Sequence, residues 1–431
     1  MRIQQTDLEI QREPFARPFA FKGAAFHEKW NLVVRLSDDV GREAFGVGGL
    51  AVLWSDARVF ARHTETGGNV LMVAILERAL VLARQAGEFD TPGQLLQGVL
   101  PEVEQYAREV TGVPDLSRTF VLNALVALDN AAWVLWSRRL SITDFDGMIP
   151  AQARASLVSR QRQVALAPAV GYNMPDAQIR SLLAAGAGVL KVKIGHPGDE
   201  EEMVAGDIAG LNRLHQIVGD APTPFTTEGR VAYYLDANGR YRRRQALERL
   251  LDAATGIGLQ ERILLVEEPF AADVVDHVDV SGLPVRVAAD ESLHDPADVE
   301  LRHQLGYTAI AIKPAGKTLS VGFDMLVAAR TAGMTTFVAD NACVPWLVEW
   351  NKNVAARLPD FPGLHGGLIE SNGAENYGRW SQMLEEHPCA GAPWLAARDG
   401  AYHLDDDYWR CSGGILMDPA PYHRLPRVAT A

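Results

Sequence analysis

Five stretches of this 431-residue chain end an apolar run on charged or polar side chains. They are Lys191 and Lys193 in "VLKVKIG", Asp236 and Asn238 in "YYLDANG", Glu267 and Glu268 in "LLVEEPF", Asp290 and Glu291 in "RVAADES", and Lys313 in "AIAIKPAG". Three acids brought together from different strands would supply hard oxygen donors, a set that suits Mg²⁺ with positions left for water or substrate. No His/Cys cluster with zinc spacing is present in the sequence. Where acids come in pairs, the period of two lets only one of each face inward, and the other backs the site. The same period puts Lys191 and Lys193 on one face of a segment whose other members want to be dry. Like charges gathered inside a protein are costly, so this pair calls for a chemical reason. Singly, each stretch has a plain structural reading: an Asn-Gly turn for "DANG", a helix start for "EEP" or "DES". Their succession at five run ends is what those readings leave unexplained.

The elements that would position these groups follow from periodicity. From about residue 163, short apolar runs alternate with helical patterns. The runs are "VALAPAVGYN", "GVLKVKIG", "AYYLDANG", "ILLVEEPF", "VRVAADES", "AIAIKPAG", "TTFVADNA" and "GGLIESNG". Eight apolar strands joined by helices predict a (β/α) barrel, buried on both strand faces. An open doubly wound sheet is the competing arrangement, and eight units in about 210 residues favour closure. In a barrel the C-terminal strand ends converge on one mouth. Before this region, "FAFKGAAFHEKWNLVVRLSDDVGREAFGVGG" alternates like an antiparallel meander. Three helical patterns follow it, the second with Thr91 as cap and Pro92 in its first turn. Strands and then helices in blocks predict an α+β domain. The expected division is 1–145 as an α+β cap, 146–375 as the barrel, and 376–431 as a C-terminal segment packing back on the cap.

Composition narrows the class. Apolar residues make up 48% and charged residues 22%, as in ordinary globular proteins, and the net charge of −13 argues against nucleic acid as a partner. Cys343, Cys389 and Cys411 form neither a CxxC motif nor a disulfide framework, which suits a reducing cytoplasm. The N-terminus shows no signal-peptide pattern. The most apolar runs carry charges at helical spacing and read as too short and too polar to span a bilayer.

In order along the chain, "KVK" at 191–193, "DANG" at 236–239, "VEEP" at 266–269, "ADES" at 289–292 and "IKP" at 312–314 resemble the enolase superfamily, in its mandelate racemase/muconate-lactonizing branch. "ALVALDNAAWVLW" at 124–136 resembles that family's cap-to-barrel helix. The resemblance implies a (β/α)₇β barrel with an N-terminal α+β capping domain. It makes Asp236, Glu267 and Asp290 the Mg²⁺ ligands, with Glu268 and Glu291 as supports. Lys193 matches the base, Lys191 its electrostatic neighbour, and Lys313 the acid/base on the other face of the substrate. The implied chemistry is removal of the α-proton of a small carboxylate substrate, with Mg²⁺ stabilising the enediolate, and enolase-superfamily sites use a Lys or His base with Mg²⁺. A lysine that acts as base must be neutral, which needs about 4 kcal/mol of destabilisation of its charged form. Crowding by the second ammonium, burial and the metal are expected to supply it. Strand seven has no His and strand six offers Lys313, so a lysine–lysine site is expected over a His–Asp one. Racemase, epimerase or cycloisomerase chemistry is expected, with acid-sugar dehydration as the alternative and homo-oligomerisation implied by the family. The cap segment 45–54 is expected to select the substrate. Asn238, Tyr172, Glu370 and Asp340 are further candidates to touch it, Asn341 could join Asp340, and His365 is expected to be structural.

Two readings come from other classes. "GVGGLA" at 46–51 fits G-x-G-x-x-A, with Glu65 downstream, as in a nucleotide-binding oxidoreductase, but turn-like, charged sequence precedes it where a strand is required. A non-catalytic barrel would be expected to have lost a lysine or an acid, and none is missing. The segment 214–233 has no assignment beyond a loop or insertion.

Overall fold

The computed structural model describes residues 1–21 and 24–424. Strands Ile3–Phe21, Ala24–Asp38 and Glu43–Gly49 form an antiparallel sheet in that order. The meander thus begins well before the alternating stretch that announced it. Asp38 makes the second turn, its carboxylate accepting from the amides of Val40 (3.0 Å) and Arg42 (2.8 Å). Helices Ala57–Gln85, Pro92–Thr111 and Arg118–Leu140 follow. Thr91 caps the second as expected, accepting from Gln94 N at 3.3 Å, and Gly112 ends it in the left-handed region.

Helix Arg118–Leu140 ties the cap to the barrel. On one side it lies against Gly46 and Gly48, where a Cβ would stand 2.2 Å from Ala127 O and 2.7 Å from Ala127 N. Those glycines exist for close strand–helix approach, and they sit in an antiparallel strand, so the nucleotide-binding reading of "GVGGLA" is corrected. On the other side the Asp129 carboxylate accepts from Leu319 N (2.9 Å), Ser320 N (3.1 Å) and Ser320 Oγ (2.5 Å), capping helix Leu319–Thr331 of the barrel. Trp133 Nε1 donates to Ser320 Oγ at 3.0 Å. Ala57–Gln85 and Arg118–Leu140 are in fact long and apolar enough to cross a bilayer, which corrects the sequence reading. Their apolar surface is instead used inside the fold, the second being almost wholly buried.

Eight parallel strands form the barrel: 163–170, Val189–Lys193, Ala232–Asp236, Ile263–Glu267, Val287–Ala289, Ala309–Ile312, Thr335–Val338 and Gly367–Ile369. The first is split at Pro168. Gln163–Leu166 pairs with strand eight and Ala169–Val170 with strand two, so the ring comes round on itself. Helices connect successive strands except between strands four and five, where there is only the short 3₁₀ turn Val275–His277. That connection holds Pro269 and Pro284 and no sustained apolar face. Segment 214–233 now has a role. After helix Glu200–Val218 it makes a hairpin closed at Pro222–Arg230, and Thr226 bridges to Leu364 across the N-terminal ends of strands three and eight. Phe225 is buried there with Ala165 and Ala401, flooring the barrel. Strand Ala401–His403 pairs antiparallel with Gln163–Ala165 outside the ring. The C-terminal segment then crosses helix Pro345–Ala355 and reaches the cap through Arg138–Asp418 (2.6 Å) and Arg379–Glu13 (2.7 Å); residues 425–431 of it lie outside the described residues.

Candidate active site

Register aligns the charged strand ends. Lys193 pairs with Asp236, Asp236 with Glu267, and Glu267 with Ala288, two residues before Asp290. Lys193, Asp236 and Glu267 therefore stand side by side in one layer, one inter-strand spacing apart. Strands three, four and five bring the acids, and strands two and six bring lysines on either flank.

The ammonium groups lie among the carboxylates. Lys191 Nζ is 2.7 Å from Glu267 Oε2, 2.8 Å from Glu370 Oε2 and 3.0 Å from Asp236 Oδ2. Lys193 Nζ donates to Asp236 Oδ2 at 2.5 Å and Asn238 Oδ1 at 2.8 Å. Lys313 Nζ meets Asp290 Oδ2 at 2.6 Å. The electrostatics follow. Burial pulls the Lys191 ammonium down, but Asp236, Glu267 and Glu370 overcome it and hold its pKa well above the ordinary lysine value. Lys313 is raised the same way by Asp290 and Glu267. For Lys191 itself the three carboxylates, and not the neighbouring ammonium, are the dominant charges. Burial opposes ionisation of Asp236, yet Lys191 and Lys193 hold it far below the usual carboxylate range. Burial and the charge of Asp236 together push Glu267 well up.

Supporting groups surround this layer. Glu268, at φ 38°, accepts from Asp290 N (2.7 Å) and Ser292 Oγ (3.1 Å), and Glu291 accepts from Asn238 Nδ2 (3.1 Å). Asn238 also closes a turn onto Asp236 Oδ1 through its own amide, at 3.0 Å. Tyr234 donates to Glu267 Oε2 at 2.6 Å. On the far strands, Asp340 accepts from Asn372 N (2.9 Å) and Asn351 Nδ2 (3.3 Å). The non-glycine residues Asn238, Glu268 and Ala342 have positive φ just past these strand ends, backbone strain of the kind that clusters at functional sites.

One cavity gathers most of the candidates: Lys191, Lys193, Asp236, Asn238, Lys313, Asp340, Asn341 and Glu370 line it. Glu267 and Asp290 lie just behind, against Lys191 and Lys313. Tyr172 is not among the lining residues. Its hydroxyl donates to the carbonyls of Ile194 (3.0 Å) and Gly195 (3.1 Å), and it lines a neighbouring pocket with His196. His365 is exposed, its amide bonded to Phe225 O. Of the cap segment 45–54, residues to Gly49 are strand, while Ala51 and Trp54 reach the cavity.

Sequence reasoning missed the cap aromatics Phe19 and Phe26, which also line the cavity, and Lys317. Lys317 is fully buried, donates to the Asp290 carbonyl and lies 3.3 Å from its Oδ1. Its signal was present, one helical turn after Lys313 in "IKPAGK".

The fit of a divalent cation rests on donor chemistry. Among the described residues no three His, Cys, Asp or Glu side chains close on one point, because Lys191 lies between Asp236 and Glu267 while Lys313 and Lys317 hold Asp290. The donor set is nonetheless all oxygen, from three adjacent strands, and Glu267 Oε1 is buried without a hydrogen-bond partner. A buried carboxyl oxygen left so is costly, and a hard cation would satisfy it.

Residues 176–315, which hold every candidate lysine and metal-ligand position, match the family model described as Enolase C-terminal domain-like. No curated protein matches the chain. Solved structures share its fold. A mandelate racemase/muconate lactonizing protein from Herpetosiphon aurantiacus is 20% identical with a TM-score of 0.63, over 94% of this chain and 96% of its own. The L-Ala-D/L-Glu epimerase from Bacillus subtilis is 18% identical with a TM-score of 0.64, over 88% and 92%. A dipeptide epimerase from Enterococcus faecalis V583, complexed with Mg and L-Leu-L-Tyr, is 17% identical with a TM-score of 0.62, over 94% and 100%. Residues 176–315 thus match an enolase C-terminal domain-like model, and the chain as a whole shares the fold of the mandelate racemase/muconate lactonizing protein and epimerase structures.

Proposed function

We propose that this enzyme abstracts the α-proton of a small carboxylate substrate, with Lys193 and Lys313 acting from opposite sides and Asp236, Glu267 and Asp290 holding Mg²⁺. The observation that carries the reading is the strand order: lysines on strands two and six flank three successive acid-bearing strands, and both lysines line one cavity. When bound, Mg²⁺ would supply positive charge where the enediolate oxygen develops.

The chain's own residues account for the rest. Lys313, held protonated beside Asp290, is suited to give a proton to one face of a planar enediolate. Lys193, fixed between Asp236 and Asn238, reaches the other. Lys191 and Lys317 keep the buried acids neutralised. Phe19, Phe26 and Trp54 give the cavity an apolar wall on the cap side that would limit the entry of water. Removal and return of one proton is the simplest use of two opposed lysines, so racemisation or epimerisation is favoured; cycloisomerisation uses the same intermediate, and loss of a β-leaving group gives the dehydratase alternative. Asn238, Asp340 and Glu370, which line the same cavity, would touch the substrate in this reading. A cytoplasmic homo-oligomer is part of the same reading.

The test is a screen of dipeptide, acid-sugar and cyclic-acid libraries in D₂O with Mg²⁺. Metal-dependent deuterium uptake at the α-carbon of one class supports the reading. Uptake that persists undiminished when both Lys193 and Lys313 are replaced by Ala rejects it.

A further inference from the structure

Away from the barrel mouth, the C-terminal segment brings two cysteines together. Cys411 closes the short helix Asp406–Cys411, and Ser412 and Gly413 follow with φ of 51° and 65°. That turn lays Gly414 against the Cys389 thiol: a Cβ at Gly414 would stand 2.7 Å from Cys389 Sγ, so only glycine leaves the sulfur room. Gly414 is three residues from Cys411, so the same turn sets the Cys389 sulfur beside Cys411, and each thiol is an electrostatic neighbour of the other. Cys411 Sγ also lies 3.8 Å from Tyr408 O. Both cysteines are half-buried, whereas Cys343 is fully enclosed.

The surroundings favour reactivity at one of the two sulfurs. The charged groups facing the pair are the buried ions of Lys352 and Glu349, 2.5 Å apart. His387 accepts from Cys389 N at 3.0 Å and is kept neutral by burial and Lys352. The neighbouring Cys389 thiol and the amides of Gly413 and Gly414 outweigh burial and bring the Cys411 thiol down to about 7, while Cys411 and burial push Cys389 up. A thiolate is the nucleophile in such chemistry, and a neighbouring thiol can resolve its first oxidation product.

We propose that Cys411 and Cys389 form a reversible redox pair, with Cys411 the sulfur attacked by hydrogen peroxide and Cys389 the one that closes an intrachain disulfide. In the first step the Cys411 thiolate takes one peroxide oxygen, the O–O bond breaks, and the departing hydroxide is protonated to water. In the second the Cys389 sulfur attacks the Cys411 sulfenic acid, the S–O bond breaks, and a second water leaves. Two thiols and one peroxide thus yield one disulfide and two waters. In reducing surroundings the pair rests as thiols.

The experiment is peptide mapping of the intact protein under non-reducing conditions, before and after mild hydrogen peroxide, with free thiols alkylated. The expected result is one linked peptide pair containing Cys389 and Cys411, lighter by two hydrogens and reversed by dithiothreitol, with Cys343 still alkylatable after unfolding. Cys389→Ser should leave a sulfenic acid on Cys411 that dimedone traps, and Cys411→Ser should leave Cys389 reduced. Two free thiols in the oxidised wild-type protein, a link between chains, or a link through Cys343 would each overturn the proposal. The readout is chemical, so it does not depend on the barrel's activity.

Discussion

The Lys313 ammonium lies 4.3 Å from the centre of the Trp54 ring, so an indole from the cap covers a lysine at the end of barrel strand six. Lys317 lies under the same ring at 5.6 Å. The cap therefore does more than roof the barrel: it sets the surroundings of a proposed acid. A desolvated cation–π contact contributes up to about 2 kcal/mol. Trp54→Ala is expected to lower kcat/KM by about tenfold or more on that scale and, because the indole is buried, to lower the melting temperature as well; Trp54→Phe should recover most of both losses. Steady-state kinetics and a thermal melt check this together, and equal activity in Trp54→Ala would contradict it.

The two lysines should be separable by stereochemistry. If each serves one face, Lys193→Ala abolishes α-proton exchange from one stereoisomer and Lys313→Ala from the other. Loss of a general acid or base costs about 10²–10⁴-fold. Exchange of each isomer followed by NMR in D₂O measures it; identical losses for both isomers in both variants would remove the two-face assignment.

Cap docking depends on Asp129. Burial raises its carboxyl to about 6 against the hydrogen bonds from Ser320 and Leu319. Between the ordinary value near 4 and about 6 the folded state binds the proton that the unfolded state has lost. Stability contributed here is therefore greatest below that window and falls as pH rises through it, by about 3 kcal/mol at most. Asp129→Asn should flatten that part of the profile. Urea unfolding of both proteins at pH 4 and pH 7 gives the comparison, and parallel profiles would contradict it.

The close approach at Gly46 admits no side chain, since a Cβ there would meet both Ala127 O and Ala131 N at 2.2 Å. Gly46→Ala is expected to destabilise the protein by about 1–3 kcal/mol, the usual cost of overpacking. A denaturation midpoint unchanged from wild type would show that the helix moves away freely.

How far the sequence reached can be argued from these residues. The acids of strands three to five and the lysines of two and six were legible because each ends a buried strand, where period two and apolar neighbours leave few alternatives. The pairing of Lys191 with Glu267 and Glu370 was not, because those partners lie on other strands and no local pattern encodes them. Phe19 and Phe26 were overlooked as site residues for the same reason: what brings them to the mouth is the docking of helix Arg118–Leu140. Tyr172 misled because an aromatic at the end of strand one has the right address but a hydroxyl already committed to the backbone. The glycines at 46 and 48 imitate a phosphate loop locally, while their packing partner lies some eighty residues on. Between strands four and five a helix was assumed from the repeat, and the prolines there prevailed.

The central claim is that Asp236, Glu267 and Asp290 together hold one divalent cation between the two lysines. Calorimetric titration of Mg²⁺ into the wild-type protein and into Asp236→Asn, Glu267→Gln and Asp290→Asn, each checked for folding by circular dichroism, tests it most directly. The account predicts one site per chain in the wild type and at least tenfold weaker binding in all three variants. Absence of Mg²⁺ binding at millimolar metal, or binding left unchanged by all three substitutions, would contradict it.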